Sequence, residues 1–167
     1  MAVNLYGVLH GLRTFVPKMI AQKRECVVAA TSSYGGLINV AATGTIGNAA
    51  PYSSAKHVCT LIMEALQHEL RNTPECQVRA ACLFPGGVDT AFARNAASFV
   101  GRDATGQVIQ GWNRVQDMIS PEGIAEQLEA AVFENRFYCL TYDTQPKEFF
   151  KEVIRARFED ILEERPP

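Results

Sequence analysis

Apolar side chains at Leu5, Val8, Leu9, Leu12, Phe15, Val16, Met19 and Ile20 recur at three- and four-residue intervals. That spacing predicts an amphipathic helix over residues 3–22, bent near Pro17. The period then changes. CVVAAT (26–31) is a short two-sided apolar run, the pattern of a buried parallel strand, and it ends directly in Ser32, Ser33 and a Gly pair. From Tyr52 to about Asn72 the helical spacing returns in Val58, Leu61, Ile62, Ala65, Leu66 and Leu70, and Thr73-Pro74 stops it. QVRAACLF reads as a second buried strand, closed by Pro85-Gly86-Gly87. Residues 88–120 have no clear period, as in a long loop or lid. Ser120-Pro121-Glu122 supplies an N-cap and a first turn for a helix carrying Ile124, Leu128, Ala131 and Val132. FYCLTY predicts a third strand and PKEFFKEVIRARFEDILEE a final charged amphipathic helix.

Strands alternating with helices argue for an α/β domain, a parallel sheet covered by helices on both faces. No repeat or linker divides the chain, so residues 1–167 are expected to form a single domain with 88–120 as its lid. Three strands make a small sheet of this kind, and the chain opens on a helix. We therefore expect elements upstream to be missing.

Composition narrows the function more than the fold. With 47% hydrophobic and 20% charged residues the chain can build a sizeable core. The net charge is −2, with basic and acidic residues interleaved, which leaves no electrostatic footprint for nucleic acid or an anionic membrane. No apolar run reaches membrane-spanning length and no leader pattern opens the chain, so a cytoplasmic location is expected. Cys26, Cys59, Cys76, Cys82 and Cys139 are widely spaced, without C-x-x-C or paired His, and read as buried free thiols. His10, His57 and His68 share no ligand spacing.

The candidate chemistry lies at Tyr52 and Lys56, which a helix places one turn apart on one face. A free phenol has a pKa near 10, too high for ready proton exchange at neutral pH, and a neighbouring cation would favour the phenolate. Lys56 is the expected source of that charge.

Four stretches in order, VNLYGVLHGLRTFVP, VVAATSSYGGL, YSSAK and FPGGVDT, resemble the C-terminal part of the short-chain dehydrogenase/reductase family over nearly the whole chain. The resemblance implies a Rossmann-like doubly wound parallel sheet, N-terminally truncated to about three strands with flanking helices. It also implies hydride transfer between NAD or NADP and a small-molecule alcohol or ketone. Tyr52 would be the general acid/base. Lys56 would support it and hold the nicotinamide ribose hydroxyls. Ser33, in Ser33-Tyr34-Gly35-Gly36-Leu37, stands where the family's serine binds the substrate oxygen, and Ser32 is the weaker choice. Asn4 matches the family's V-N asparagine, which helps hold a water in the proton relay, although an Asn near a helix start also serves as a cap. Pro85, Gly86, Val88 and Thr90 match the P-G-x-V-x-T turn that meets the nicotinamide amide and the diphosphate.

Residues 38–50 exceed the family's usual length and read as an inserted loop. Thr43-Gly44-Thr45-Ile46-Gly47 only imitates the family's T-G-x-x-x-G-x-G fingerprint, because its spacing is short and it does not link a first strand to a first helix. The 167-residue chain is accordingly expected to show no measurable NAD(H) or NADP(H) affinity. The lid residues Phe92, Phe99, Trp112 and Met118 point to a hydrophobic substrate, and loop packing explains them equally well. An open strand edge at 26–31 invites pairing with another chain, and the resemblance implies that the helix at 3–22 and the one starting near Tyr52 form the subunit contact of a homo-oligomer. The alternative is a non-catalytic half-domain acting only as an interaction module.

Overall fold

The computed structural model describes residues 2–38, 50–92, 118–141 and 147–166. The lid stretch 93–117, the imitation fingerprint and most of the inserted loop lie outside the described residues.

The chain opens with a π-helical turn, Ala2–Gly7, that continues as α1, Val8–Ala21. The first predicted helix is therefore present, with its first turn wound more widely than an α-helix. It runs through Pro17, whose missing N–H costs the Arg13 carbonyl an intrahelical bond. Strand β1 is Cys26–Thr31 and helix α2 is Ala50–Asn72, with Pro51 in the first turn, where its fixed φ fits and no N–H is needed. Strand β2 is Val78–Phe84. Helix α3, Pro121–Phe133, starts as its sequence implies: the Ser120 hydroxyl accepts from Gly123 N at 3.1 Å. Strand β3 is Tyr138–Leu140 and helix α4 is Lys147–Leu162.

The sheet among the described residues is parallel, in the order β1-β2-β3. Cys26 to Thr31 lie opposite Val78 to Leu83, and Cys82 to Phe84 opposite Tyr138 to Leu140. Because side chains alternate along a strand, β2 feeds two cores. Val78, Ala80, Cys82 and Phe84 face α1 and α2 through Val16, Met63 and Leu70. Ala81 and Leu83 face α3 through Ile124 and Ala131. Helices thus cover both faces, as a Rossmann-like sheet requires.

One expectation needs correction. β1 is not fully buried among the described residues: Ala29 and Thr31 are exposed and the rest is half-buried, and within them β1 pairs on one side, with β2. The cysteines divide similarly. Cys59, Cys82 and Cys139 are buried free thiols as expected, whereas Cys26 and Cys76 are only half-buried.

Candidate active site

Ser33 leaves the carboxyl end of β1 with extended backbone and caps the short 3-10 turn Tyr34–Gly36, its hydroxyl accepting from Gly35 N at 3.2 Å. The Ser33 side chain is also near enough to the Tyr52 phenol, in the first turn of α2, to lower its pKa. Lys56, one turn on, donates from Nζ to Thr31 O at 3.0 Å, and its ammonium lies 5.8 Å from the centre of the Tyr52 ring. Three residues drawn from a strand end and a helix start therefore meet at one place.

What aligns them lies just beneath. Ser32, the weaker choice for the substrate-binding serine, is buried and structural: its Oγ donates to Lys56 O at 2.9 Å and lies 2.9 Å from Thr60 Oγ1. Thr60 Oγ1 in turn reaches Lys56 O at 3.0 Å and Gly36 O at 3.2 Å. The serine loop and the lysine turn are thereby fastened to each other. Gly36 makes the fit possible, since a Cβ there would stand 2.3 Å from Ser32 Oγ and 2.8 Å from both Lys56 O and Thr60 Oγ1. Thr60 has a signal in the sequence, a hydroxyl one turn after Lys56 on a buried helix face.

The electrostatics differ from the expectation. Burial pushes the Tyr52 phenol above its ordinary pKa, and the nearby Ser33 side chain offsets only part of that. Burial also pulls the Lys56 ammonium down, with opposing contributions from Cys59 and Cys82. Lys56 stands over the face of the Tyr52 ring, 5.8 Å from its centre, and desolvation is the largest influence on both groups. The site as it stands favours a protonated tyrosine.

Pro85, Gly86, Val88 and Thr90 follow β2 at the same end of the sheet, all half-buried. Pro85 O accepts from Tyr34 N at 3.4 Å, which joins this turn to the serine loop. Val88 pairs with Ile119, with Ile119 N on Gly87 O and Asp89 N on Ile119 O, both at 3.0 Å. The two ends of the lid stretch are so held together at its base. Phe92 is exposed, and its ring lies 5.9 Å from that of Tyr52. Asn4 lies half-buried in the π-helical turn, which packs on α2.

Two residues make contacts that had no signal in the sequence. The Tyr34 hydroxyl donates to Thr141 O at 2.9 Å and its ring stacks on Phe150 at 3.9 Å. Arg157 Nη1 reaches both Leu37 O and His57 Nε2.

A polar trio at the carboxyl ends of parallel strands, beside a Gly-containing turn, defines an α/β domain of the kind that handles small ligands at that end of its sheet. The profile of the short chain dehydrogenase family matches residues 1–100, and the chain belongs to that family. It is 25% identical over 174 residues to the C alpha-dehydrogenase of Sphingobium sp. strain SYK-6, covering 100% of this chain and 52% of that protein. It is 30% identical over 139 residues to the 1-deoxy-11-beta-hydroxypentalenate dehydrogenase of Streptomyces avermitilis, covering 83% and 44%. The chain spans about half the length of the curated relatives it matches. Among solved structures, a short chain dehydrogenase/reductase from Burkholderia phymatum in complex with NAD superposes with a TM-score of 0.76 at 28% identity, over 99% of this chain and 58% of that one. A short chain dehydrogenase from Burkholderia cenocepacia in complex with NADP gives 0.66 at 18% identity, over 96% and 53%, a likeness of fold.

Proposed function

We propose that this chain is the catalytic part of an NAD- or NADP-dependent oxidoreductase that interconverts a small alcohol and its carbonyl. The observation that carries the reading is the meeting of Ser33, Tyr52 and Lys56 at the carboxyl ends of the strands. The relatives are dehydrogenases, and NAD occupies the Burkholderia phymatum protein.

The residues present fit the nicotinamide end of such a cofactor. Lys56 uses one of its three N–H groups on Thr31 O, which leaves donors for ribose hydroxyls. The Pro85-Gly86 turn, with Val88 and Thr90, opens toward the same end and lets backbone approach closely. Bound there, the nicotinamide would supply or accept the hydride. Ser33 holds the substrate oxygen. Tyr52 gives its proton to that oxygen on reduction and takes it back on oxidation. The raised phenol pKa suits the donor role, and proton acceptance requires the phenolate to gain stabilisation in the occupied site. Asn4, from the turn packed on α2, would hold a water behind Lys56. Phe92 forms an apolar wall beside Tyr52 for a hydrophobic substrate, and the molecule works as a homo-oligomer in the cytoplasm.

The test is a Tyr52→Phe comparison in a polypeptide that joins this chain to a phosphate-binding turn. Oxidation of an alcohol panel with each nucleotide should fall by about 100-fold or more while nucleotide affinity holds. Turnover near that of the parent protein rejects the assignment.

A further inference from the structure

We propose that helix α4 is a positioning element for the Ser33–Tyr52–Lys56 trio, with Arg157 as its tie and Tyr34 as its anchor. The inference rests on the reading of the trio given above.

The residues on either side of the catalytic candidates make the case. Tyr34 directly follows Ser33 and is almost wholly buried. Its hydroxyl is bound to the backbone beyond β3 and its ring lies flat on Phe150 of α4, 14° from parallel. The backbone that carries Ser33 therefore cannot shift at Tyr34 without breaking a buried hydrogen bond and a ring stack. At the other end of the same loop, Leu37 O accepts from Arg157, the residue of α4 that also reaches α2.

The contact with α2 has a defined direction. A guanidinium only donates, so His57 Nε2, 2.6 Å from Arg157 Nη1, accepts. The imidazole proton then sits on Nδ1 and is donated to Ser53 O at 2.9 Å. Ser53 follows Tyr52, and His57 follows Lys56. One guanidinium group, two hydrogens on the same nitrogen, thus joins the end of the serine loop to the turn of helix that spans the tyrosine and the lysine. The Ser32–Thr60 bonds fasten that loop and α2 from below, and Arg157 fastens them from α4. Lysine offers a point charge without the fixed fork, so it would hold the two acceptors less well.

The experiment uses the 167-residue chain with carbon-13 at tyrosine Cζ. Tyr52→Phe assigns the Tyr52 signal, whose chemical shift reports hydrogen bonding of the phenol. Ser33→Ala gives the displacement caused by losing the serine. Arg157→Ala should move the signal in the same direction, Arg157→Lys should move it less, and adding Arg157→Ala to Ser33→Ala should move it no further, since both act on one contact. A merely structural role would lower the denaturation midpoint and leave the Tyr52 signal in place. That result, with Ser33→Ala still moving the signal, overturns the positioning role and spares the trio. A signal unmoved by Ser33→Ala overturns the Ser33–Tyr52 pairing and the proposal with it. Should Arg157→Ala fail to fold, Arg157→Lys and Tyr34→Phe decide: displacement in either supports the proposal, and no displacement in both overturns it.

Discussion

Strands β1 and β2 have much the same apolar composition and pair with each other along most of their length, yet they live in different surroundings. β2 has a strand on each side and a helix layer on each face, and Ala81, Cys82 and Phe84 are completely buried. Among the described residues β1 has one strand neighbour and is half-exposed. The difference shows that pairing, rather than hydrophobicity alone, decides where the core sits. It also divides the work: β2 carries stability, and β1 carries Ser33 on a strand whose outer edge is open among the described residues.

The sharpest way to expose that division is to truncate one side chain on each strand. Phe84→Ala removes a fully buried ring from the α1–α2 core and should cost about 3–5 kcal/mol. Val28→Ala, half-buried on β1 against the same core, should cost about 1–2 kcal/mol. Urea midpoints read both, and equal losses would abolish the distinction.

Gly36→Ala tests the junction between β1 and α2. The added methyl meets backbone and hydroxyls that cannot all retreat, so a loss of about 1–3 kcal/mol is expected, together with a displaced Ser33. Unchanged stability would mean that the Ser32–Thr60–Lys56 knot gives way easily.

The open edge of β1 is tested by association. Val28 faces the core, so a charge there would confound folding with pairing. Ala29 is exposed and is the cleaner position. If the edge drives self-association, Ala29→Lys should lower the mass seen by light scattering at high concentration while the urea midpoint stays within about 0.5 kcal/mol. A mass that stays constant across concentrations in the parent chain rejects edge pairing.

The smallest expected effect lies at the other end of the sheet, on β3. Burial, reinforced by the Glu64 carboxylate that its hydroxyl donates to at 2.8 Å, pushes the Tyr138 phenol from 10.0 up to about 12. Because the folded pKa is the higher one, this contribution is fully present below the unfolded value of 10.0 and is lost as pH rises toward about 12. Midpoints measured between those limits should fall more steeply in the parent chain than in Tyr138→Phe. Parallel curves would show that the exposed phenol and Glu64 are too well screened to matter.

The elements were legible because each is a local pattern. The apolar spacing marks α1 and α2, the run CVVAAT coincides with β1, and Ser120-Pro121 announces the start of α3. The Tyr52–Lys56 pairing follows from one turn of helix. Other features depend on residues that meet only when layers stack. The open edge at 26–31 was legible from the missing upstream elements, but which of its side chains stay exposed, Ala29 and Thr31, was not. Nor could the sequence show that burial would raise the Tyr52 pKa, because desolvation is a property of the packed site. Arg157 stands 120 residues from Leu37 and 100 from His57, and no spacing rule connects them. Helical and strand periods repeat within a few residues, whereas a hydrogen bond between layers is set by how whole elements pack, and that arrangement exists only in the folded chain.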